Sequence, residues 1–137
     1  MVILDSSAAI EIVLDTEEGK AFKCFMREGE RIISCDLMRA EAASAARSVR
    51  RRDALTTEVA IKYMQAAIDL VNEFIPIEEL VDEAFRESIR LDHSAYDMFY
   101  FVLARRTGGT LFTADRKLMR LCEENGVDCI HEIPWEE

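Results

Sequence analysis

Val2-Ile3-Leu4-Asp5-Ser6-Ser7-Ala8 reads as a short apolar strand that breaks onto a carboxylate and then enters a helix. A run of apolar, partly β-branched residues suits a strand buried on both faces, and Asp-Ser-Ser suits a helix N-terminus. The same grammar repeats outward from this segment. Short apolar runs alternate with longer stretches of helical period, which is the pattern of βαβ units and a mostly parallel sheet. Strands are predicted at Val2–Leu4, Arg31–Ser34, Glu73–Ile77, Thr110–Thr113 and Asp128–Ile133. Helices are predicted near Ser7–Leu14, Thr16–Glu28, Leu37–Arg51, Leu55–Val71, Glu79–Arg90, Ala95–Arg106 and Arg116–Asn125. Gly29, the Gly108–Gly109 pair and Gly126 fall just past helical stretches, where a left-handed C-cap is common. In the long middle helix Ile61, Met64, Ile68 and Val71 recur at helical spacing and are expected in the core. The fold class is α/β.

Composition bounds the rest. The chain has 137 residues, 50% hydrophobic and 32% charged, and no Gly-, Pro- or Ser-rich stretch divides it, so one ordered domain over residues 1–137 is expected. The longest apolar run, Met98 to Ala104, is far short of the roughly 20 residues that span a bilayer. Neither a signal peptide nor an anchor is read, and a cytoplasmic protein is expected. Cys24, Cys35, Cys122 and Cys129 show no metal-binding spacing and read as reduced structural thiols. The net charge of −10 argues against a general nucleic-acid-coating surface, so any polyanion must be met locally. Two basic clusters offer that, Arg47, Arg50, Arg51 and Arg52 in one segment, and Arg105, Arg106, Arg116, Lys117 and Arg120 in the other. Both equally suit solvated faces that balance acidic neighbours.

The chemistry lies in where single carboxylates fall. In open parallel sheets, functional groups gather beyond the carboxyl ends of the strands. Asp5 directly follows the first strand, Asp115 lies just past the fourth, and Glu41 sits in the first turns of the helix after the second. Leu37, Glu41, Ala45 and Val49 fall at i, i+4, i+8 and i+12, which puts Glu41 on an apolar helix face, where a carboxylate must be paired, protonated or metal-bound. Asp97 opens a helix apolar nearly all round. Each acid also has a plain reading: Ser94-x-x-Asp97 has the form of a capping box, Asp5 and Asp115 suit N-caps, and Glu41 can lie at a rim. Together they argue for a cation. Two carboxylates about 5 Å apart repel by roughly 3 kcal/mol at an effective dielectric near 20, and hard oxygen ligands suit magnesium or manganese. His93 and His131 read as ordinary loop and strand residues.

Four segments carry a family resemblance. Val2-Ile3-Leu4-Asp5-Ser6-Ser7-Ala8, Arg39-Ala40-Glu41-Ala42, Ser94-Ala95-Tyr96-Asp97-Met98-Phe99-Tyr100 and Gly109-Thr110-Leu111-Phe112-Thr113-Ala114-Asp115 resemble, in order, the motifs of the PIN-domain family, and specifically of VapC-type toxins of toxin–antitoxin pairs. The resemblance implies a five-stranded sheet of order 3-2-1-4-5 with helices on both faces. It implies an acidic pocket of Asp5, Glu41, Asp97 and Asp115 that holds one or two magnesium or manganese ions, with Ser7 and Thr113 orienting the ligands. It also implies hydrolysis of RNA by a metal-activated water, leaving a 5′-phosphate and a 3′-hydroxyl. Arg47, Arg50, Arg51, Arg116 and Lys117 are the candidate RNA contacts. A cognate antitoxin and a homodimer are the implied protein partners, and no membrane is involved. Asp36 departs from the family pattern, in which small or Pro-like residues are commoner before the second motif. A phosphoryl-accepting domain fits poorly, since Ser7 stands where a second Asp is needed and no Lys ends the last strand. A non-catalytic binding module of the same fold is the other alternative.

Overall fold

The computed structural model of the chain describes residues 1–130. Within them β1 (Val2–Leu4), β2 (Ile32–Cys35), β3 (Glu73–Ile75), β4 (Thr110–Phe112) and β5 (Cys129–Ile130) form one sheet. The order is β3-β2-β1-β4-β5 and every neighbouring pair is parallel. The helices are α1 (Ser6–Leu14), α2 (Glu17–Phe25), α3 (Leu37–Arg52), α4 (Thr57–Asp69), α5 (Val81–Leu91), α6 (Ala95–Thr107) and α7 (Arg116–Glu124). The α/β reading and the predicted order hold. Residues 131–133 of the last predicted strand, and His131, lie outside the described residues.

Val2, Ile3 and Leu4 are all buried. Successive strand residues face opposite sides, so β1 is covered on both faces, as an apolar run in a parallel sheet requires. Helix α6 packs on β1, β2 and β4. It buries Met98 and Tyr100 to Ala104, with Phe99 half-buried, in line with its apolar character.

The structure departs from the sequence reading at element ends and in one stripe. Strand β3 stops at Ile75, because Pro76 has no N–H to donate and opens a 3₁₀ turn at Ile77–Glu79. Asp36 ties that turn to β2. Its carboxylate accepts the Ile77 N–H at 3.0 Å, and its own N–H donates to the Ile75 carbonyl at 3.0 Å. The residue that breaks the family pattern is thus a joint between two strand ends. Helix α2 ends at Phe25 rather than Glu28, with Met26 extended and Gly29 left-handed in the following turn. In α4 the buried residues are Ala60 and Ala67, and Met64, Ile68 and Val71 pack against the core beside them as expected, while Ile61, at 41% exposure, is the one member of the expected stripe that lies off the inward face.

Gly19, inside α2, marks where two backbones meet. A Cβ there would stand 2.0 Å from the Glu11 carbonyl oxygen and 2.9 Å from the Ile12 Cα. Both are backbone atoms and neither can swing away. Gly19→Ala therefore forces α2 off α1 and is expected to cost about 2–3 kcal/mol of stability, the scale of overpacking a tight contact. A denaturant midpoint equal to that of the parent chain would show that the contact is looser than described.

Candidate metal centre

Asp5 leaves the end of β1 and is buried, at 5% exposure. Its Oδ1 accepts the Ala8 N–H at 2.9 Å, capping α1, and the Ser7 hydroxyl at 2.7 Å. Ser7 Oγ also accepts the Ala114 N–H at 2.8 Å and lies 3.3 Å from Thr113 Oγ1. Thr113 Oγ1 in turn accepts the Asp115 N–H at 3.1 Å. These two hydroxyls stitch the end of β1 to the end of β4, which fixes Asp5 relative to Asp115. Asp115 Oδ1 accepts the Lys117 and Leu118 N–H groups at 2.9 and 3.2 Å, capping α7. The plain reading of both residues as N-caps is correct. Each cap uses Oδ1 and leaves Oδ2 outside it.

Asp97 sits in the first turn of α6. Ser94 Oγ accepts the Tyr96 N–H at 3.2 Å, yet Asp97 does not close the expected capping box. Its Oδ2 lies 2.8 Å from Nε2 of His93 instead. His93 is therefore no ordinary loop residue, and its spacing of four residues before an acid at a helix start was the available signal. The backbone N–H of His93 donates to the Ser88 carbonyl at 3.1 Å, which anchors this loop to the last turn of α5.

Glu41 lies beside the buried face of α3 rather than on it. That face is built from Met38, Ala42, Ala46 and Val49, and Glu41 flanks it half-buried. Tyr100, buried on α6, donates its hydroxyl to Glu41 Oε1 at 2.5 Å. Nothing in local spacing links Glu41 to Tyr100, since 59 positions separate them and only the packing of α3 near α6 joins them.

The electrostatics tie the acids together. Burial pushes Asp5 up to about 6, the charge of Asp97 adds to this, and hydrogen bonds from Thr113, Ala8 and Ser7 pull it partly back. Burial raises Glu41, with Asp97 adding to the effect and Tyr100 and Ser6 opposing it. Burial raises Asp97 as well, with Asp115 adding to it and His93 opposing it. Asp97 is thus the acid whose charge bears on both Asp5 and Glu41, and Asp115 bears on Asp97 in turn. Among the described residues no three His, Cys, Asp or Glu side chains already form an ion-holding shell. The carboxylates meet through their field and not through a shared coordination sphere. Their chemistry nonetheless fits a hard divalent cation: the donors are carboxylate oxygens, and three of them are held above their ordinary pKa, chiefly by burial, a cost that a bound cation would offset.

The basic residues divide. Arg116 and Lys117 are exposed at the start of α7 next to Asp115, and Lys117 joins Arg120 and His93 around an open depression of about 250 Å³. Arg47 and Arg50 rim a different groove, between α3 and α4, floored by Ala43, Ala46, Ala60 and Met64. Arg51 is exposed on α3. Arg105 and Arg106 are committed elsewhere. Arg105 pairs with Glu83 at 2.6 Å and Glu87 at 2.9 Å, and Arg106 pairs with Glu83 at 2.8 Å. For these two the balancing reading holds.

The profile of the PIN domain family matches residues 2–124. The chain belongs to the PIN domain family. Its sheet order and helices are those of this nuclease-type α/β fold, whose members typically bind divalent metals. Among solved structures it is similar to the crystal structure of PAE2754 from Pyrobaculum aerophilum, at a TM-score of 0.69 and 20% identity, covering 87% of this chain and 84% of that one. At that identity the likeness speaks for the fold alone. No curated protein matches the chain. Among the described residues no helix is long and apolar enough to cross a membrane.

The raised Asp5 carries a pH consequence. Its pKa rises from 3.8 to about 6 on folding, so the folded state favours the protonated form. The stabilising contribution is full below pH 4 and is lost as pH climbs through 6. Asp5→Asn keeps a cap acceptor and removes the buried charge. In chelator it is expected to raise the unfolding free energy relative to the parent at pH 7 by up to about 3 kcal/mol, seen as a higher denaturant midpoint, with the gain vanishing near pH 4. An equal gain at both pH values would show that the charge is not the cause.

Proposed function

We propose that this PIN domain is a magnesium- or manganese-dependent endoribonuclease acting in the cytoplasm as the toxin of a VapBC-type pair. The observation that supports this is the set of acids around Asp97, whose charge adds to the effect of burial on Asp5 and Glu41 and which Asp115 raises in turn, at the edge where β1 and β4 end. Mutual repulsion of this kind is unfavourable in an unliganded fold, and it is the arrangement a divalent cation relieves. Asp5, Asp97 and Asp115 are the proposed ligands, with Glu41 either a fourth or the group that positions the attacking water. One or two ions suit this set.

A divalent cation bound there supplies stronger acidity to water and offsets negative charge on the scissile phosphate. The chain's own residues do the rest. Ser7 holds Asp5 by its hydroxyl, and Thr113 holds the turn into Asp115. His93 fixes the orientation of Asp97. Tyr100 fixes Glu41, and burial raises its phenol so far that it stays a donor throughout the physiological range. Arg116 and Lys117, beside Asp115, are placed to meet flanking RNA phosphates, with Arg47, Arg50 and Arg51 farther along α3. The proposed product ends are a 5′-phosphate and a 3′-hydroxyl, on a structured RNA such as a transfer or ribosomal RNA. A cognate antitoxin that covers the pocket, and a second copy of the chain, are the proposed protein partners.

The deciding experiment is RNA cleavage by protein freed of any co-purified inhibitor, with and without magnesium, comparing the parent with Asp97→Asn. Metal-dependent cleavage lost in the variant, by about 100-fold or more, is expected. RNA left intact by the pure parent in magnesium would favour the non-catalytic module instead. The raised carboxylates add a second expectation. Protons compete with metal as pH falls toward 6 and below, so activity drops on mild acidification and is partly regained with more magnesium. A pH profile that does not move with metal concentration would sink the ligand assignment.

A further inference from the structure

Beside the acidic edge lies an open depression of about 250 Å³, walled by one face of α7 and by the turn from α5 into α6. Lys117, Arg120, Leu121 and Glu124 come from α7 at i, i+3, i+4 and i+7, which places them on a single helix face over about 10 Å. Leu91, Asp92 and His93 form the facing wall. Two contacts join this depression to the acids. Lys117 donates its backbone N–H to Asp115 Oδ1 at 2.9 Å, and His93 Nε2 lies 2.8 Å from Asp97 Oδ2. Whatever fills the depression therefore stands next to whatever binds at the acidic edge.

The cations here are uncommitted. In a chain of net charge −10, Arg31, Arg52, Arg86, Arg90, Arg105 and Arg106 each pair with an acid. Among the described residues Lys117 and Arg120 have no ion-pair partner, and both are exposed, although Glu124 stands only one turn past Arg120. Exposed cations without an acid of their own, next to a site for phosphodiester chemistry, are free to meet a phosphate.

The order of side chains along α7 points to the rest of the occupant. Outward from Asp115, the face presents two cations, then Leu121 with Leu91 in the facing wall, then the carboxylate of Glu124. Both leucines are half-buried and pack on the core, so they form a fixed apolar floor. A nucleotide has its parts in the same order: a phosphate, a flat ring with apolar faces, and a hydrogen-bonding edge. A bare phosphate would use the cations and leave the leucines bare, and an acidic peptide would bring its carboxylates toward Glu124 and Asp92. A carboxylate at the ring edge accepts from an exocyclic amino group. Adenine, cytosine and guanine carry one, and uracil does not.

We infer that this depression seats the nucleotide next to the scissile bond, with its phosphate on Lys117 and Arg120, its base over Leu91 and Leu121, and an amino-bearing base edge at Glu124. The inference rests on the proposed ribonuclease reading for the identity of the strand. It adds a specificity that the four acids alone do not give, since uridine is disfavoured at this position.

Fluorescence anisotropy with short labelled single strands of oligo(A), oligo(C) and oligo(U) tests it, in magnesium, on the full chain carrying Asp97→Asn so that binding is read without cleavage. Added to that chain, Lys117→Gln and Arg120→Gln are each expected to weaken oligo(A) binding about threefold or more. Each is also expected to lower the slope of log affinity against log salt by about 0.7, the value for one single-strand phosphate contact. Lys62→Gln, which removes an equal charge from the exposed surface of α4, is expected to leave both unchanged. With Glu124 in place, oligo(A) and oligo(C) are expected to bind about tenfold tighter than oligo(U), and Glu124→Ala to erase that preference. A folding defect cannot remove one salt-dependent contact, or a base preference, from a chain that still binds. RNA bound with unchanged affinity and slope in both cation variants would overturn the subsite, and this includes the case in which an acidic protein segment occupies the depression. So would a failure to bind RNA at all, or a base preference that is absent or survives Glu124→Ala. Cleavage by the parent reports on the chemistry separately. A parent that cleaves while its cation variants bind as before loses only the subsite, and a face that binds as described on a parent that never cleaves loses only the nuclease reading.

Discussion

Carboxylates withdrawn from water at the edge of a sheet, near enough to bear on one another's charge, are the constraint on which the site depends. Asp5 is buried at the end of the central strand, Asp97 adds its charge to Asp5 and to Glu41, and Asp115 adds its charge to Asp97. None of the four is left to itself. Ser7 and the α1 amide hold Asp5, His93 holds Asp97, Tyr100 holds Glu41, and the α7 amides hold Asp115. The hydrogen bonds do not cancel the repulsion. They fix where each carboxylate stands while desolvation and mutual charge keep three of them above their ordinary pKa.

The observed cap and the proposed ligand role are compatible at Asp5 and Asp115. A carboxylate has two oxygens, and a helix cap uses one of them. The N-caps of α1 and α7 aim both residues along helix axes that begin at the carboxyl ends of β1 and β4, so the capping geometry itself points them at the shared edge. Asp97 resolves differently. It gives up the capping box for an interaction with His93, which leaves the start of α6 capped by Ser94 alone.

Much of this was legible in the residues. Apolar runs of three or four gave the strands, because a strand buried on both faces has no polar alternation to hide it. The order of the four acidic motifs gave the sheet order through the family resemblance. What stayed hidden depends on distance in the chain or on a shift of one residue. Glu41 sits one position off the buried face of α3, and a small helical displacement decides whether such a residue is inside or flanking. Tyr100 reads as core and only the packing of α3 near α6 reveals its polar task. The closeness of α1 and α2 at Gly19 is equally silent, since a glycine early in a helix has no periodic signature. The exposure of Val81, Phe85 and Ile89 on α5 escaped for the opposite reason: a period that marks burial in one helix marks an outward face in another.

The paired charges between α5 and α6 bear on how the molecule meets heat. Desolvating ions becomes less costly as temperature rises, whereas apolar burial levels off. Glu83 and Glu87, shared among Arg90, Arg105 and Arg106, form a connected lattice rather than an isolated pair. By contrast, α3 and α4 meet largely through small alanines. On warming, the α5–α6 seam thus gains relative weight over that alanine seam. Because the turn carrying His93 is pinned to α5, the portion of the acidic edge built on Asp97 is tied to that charged seam.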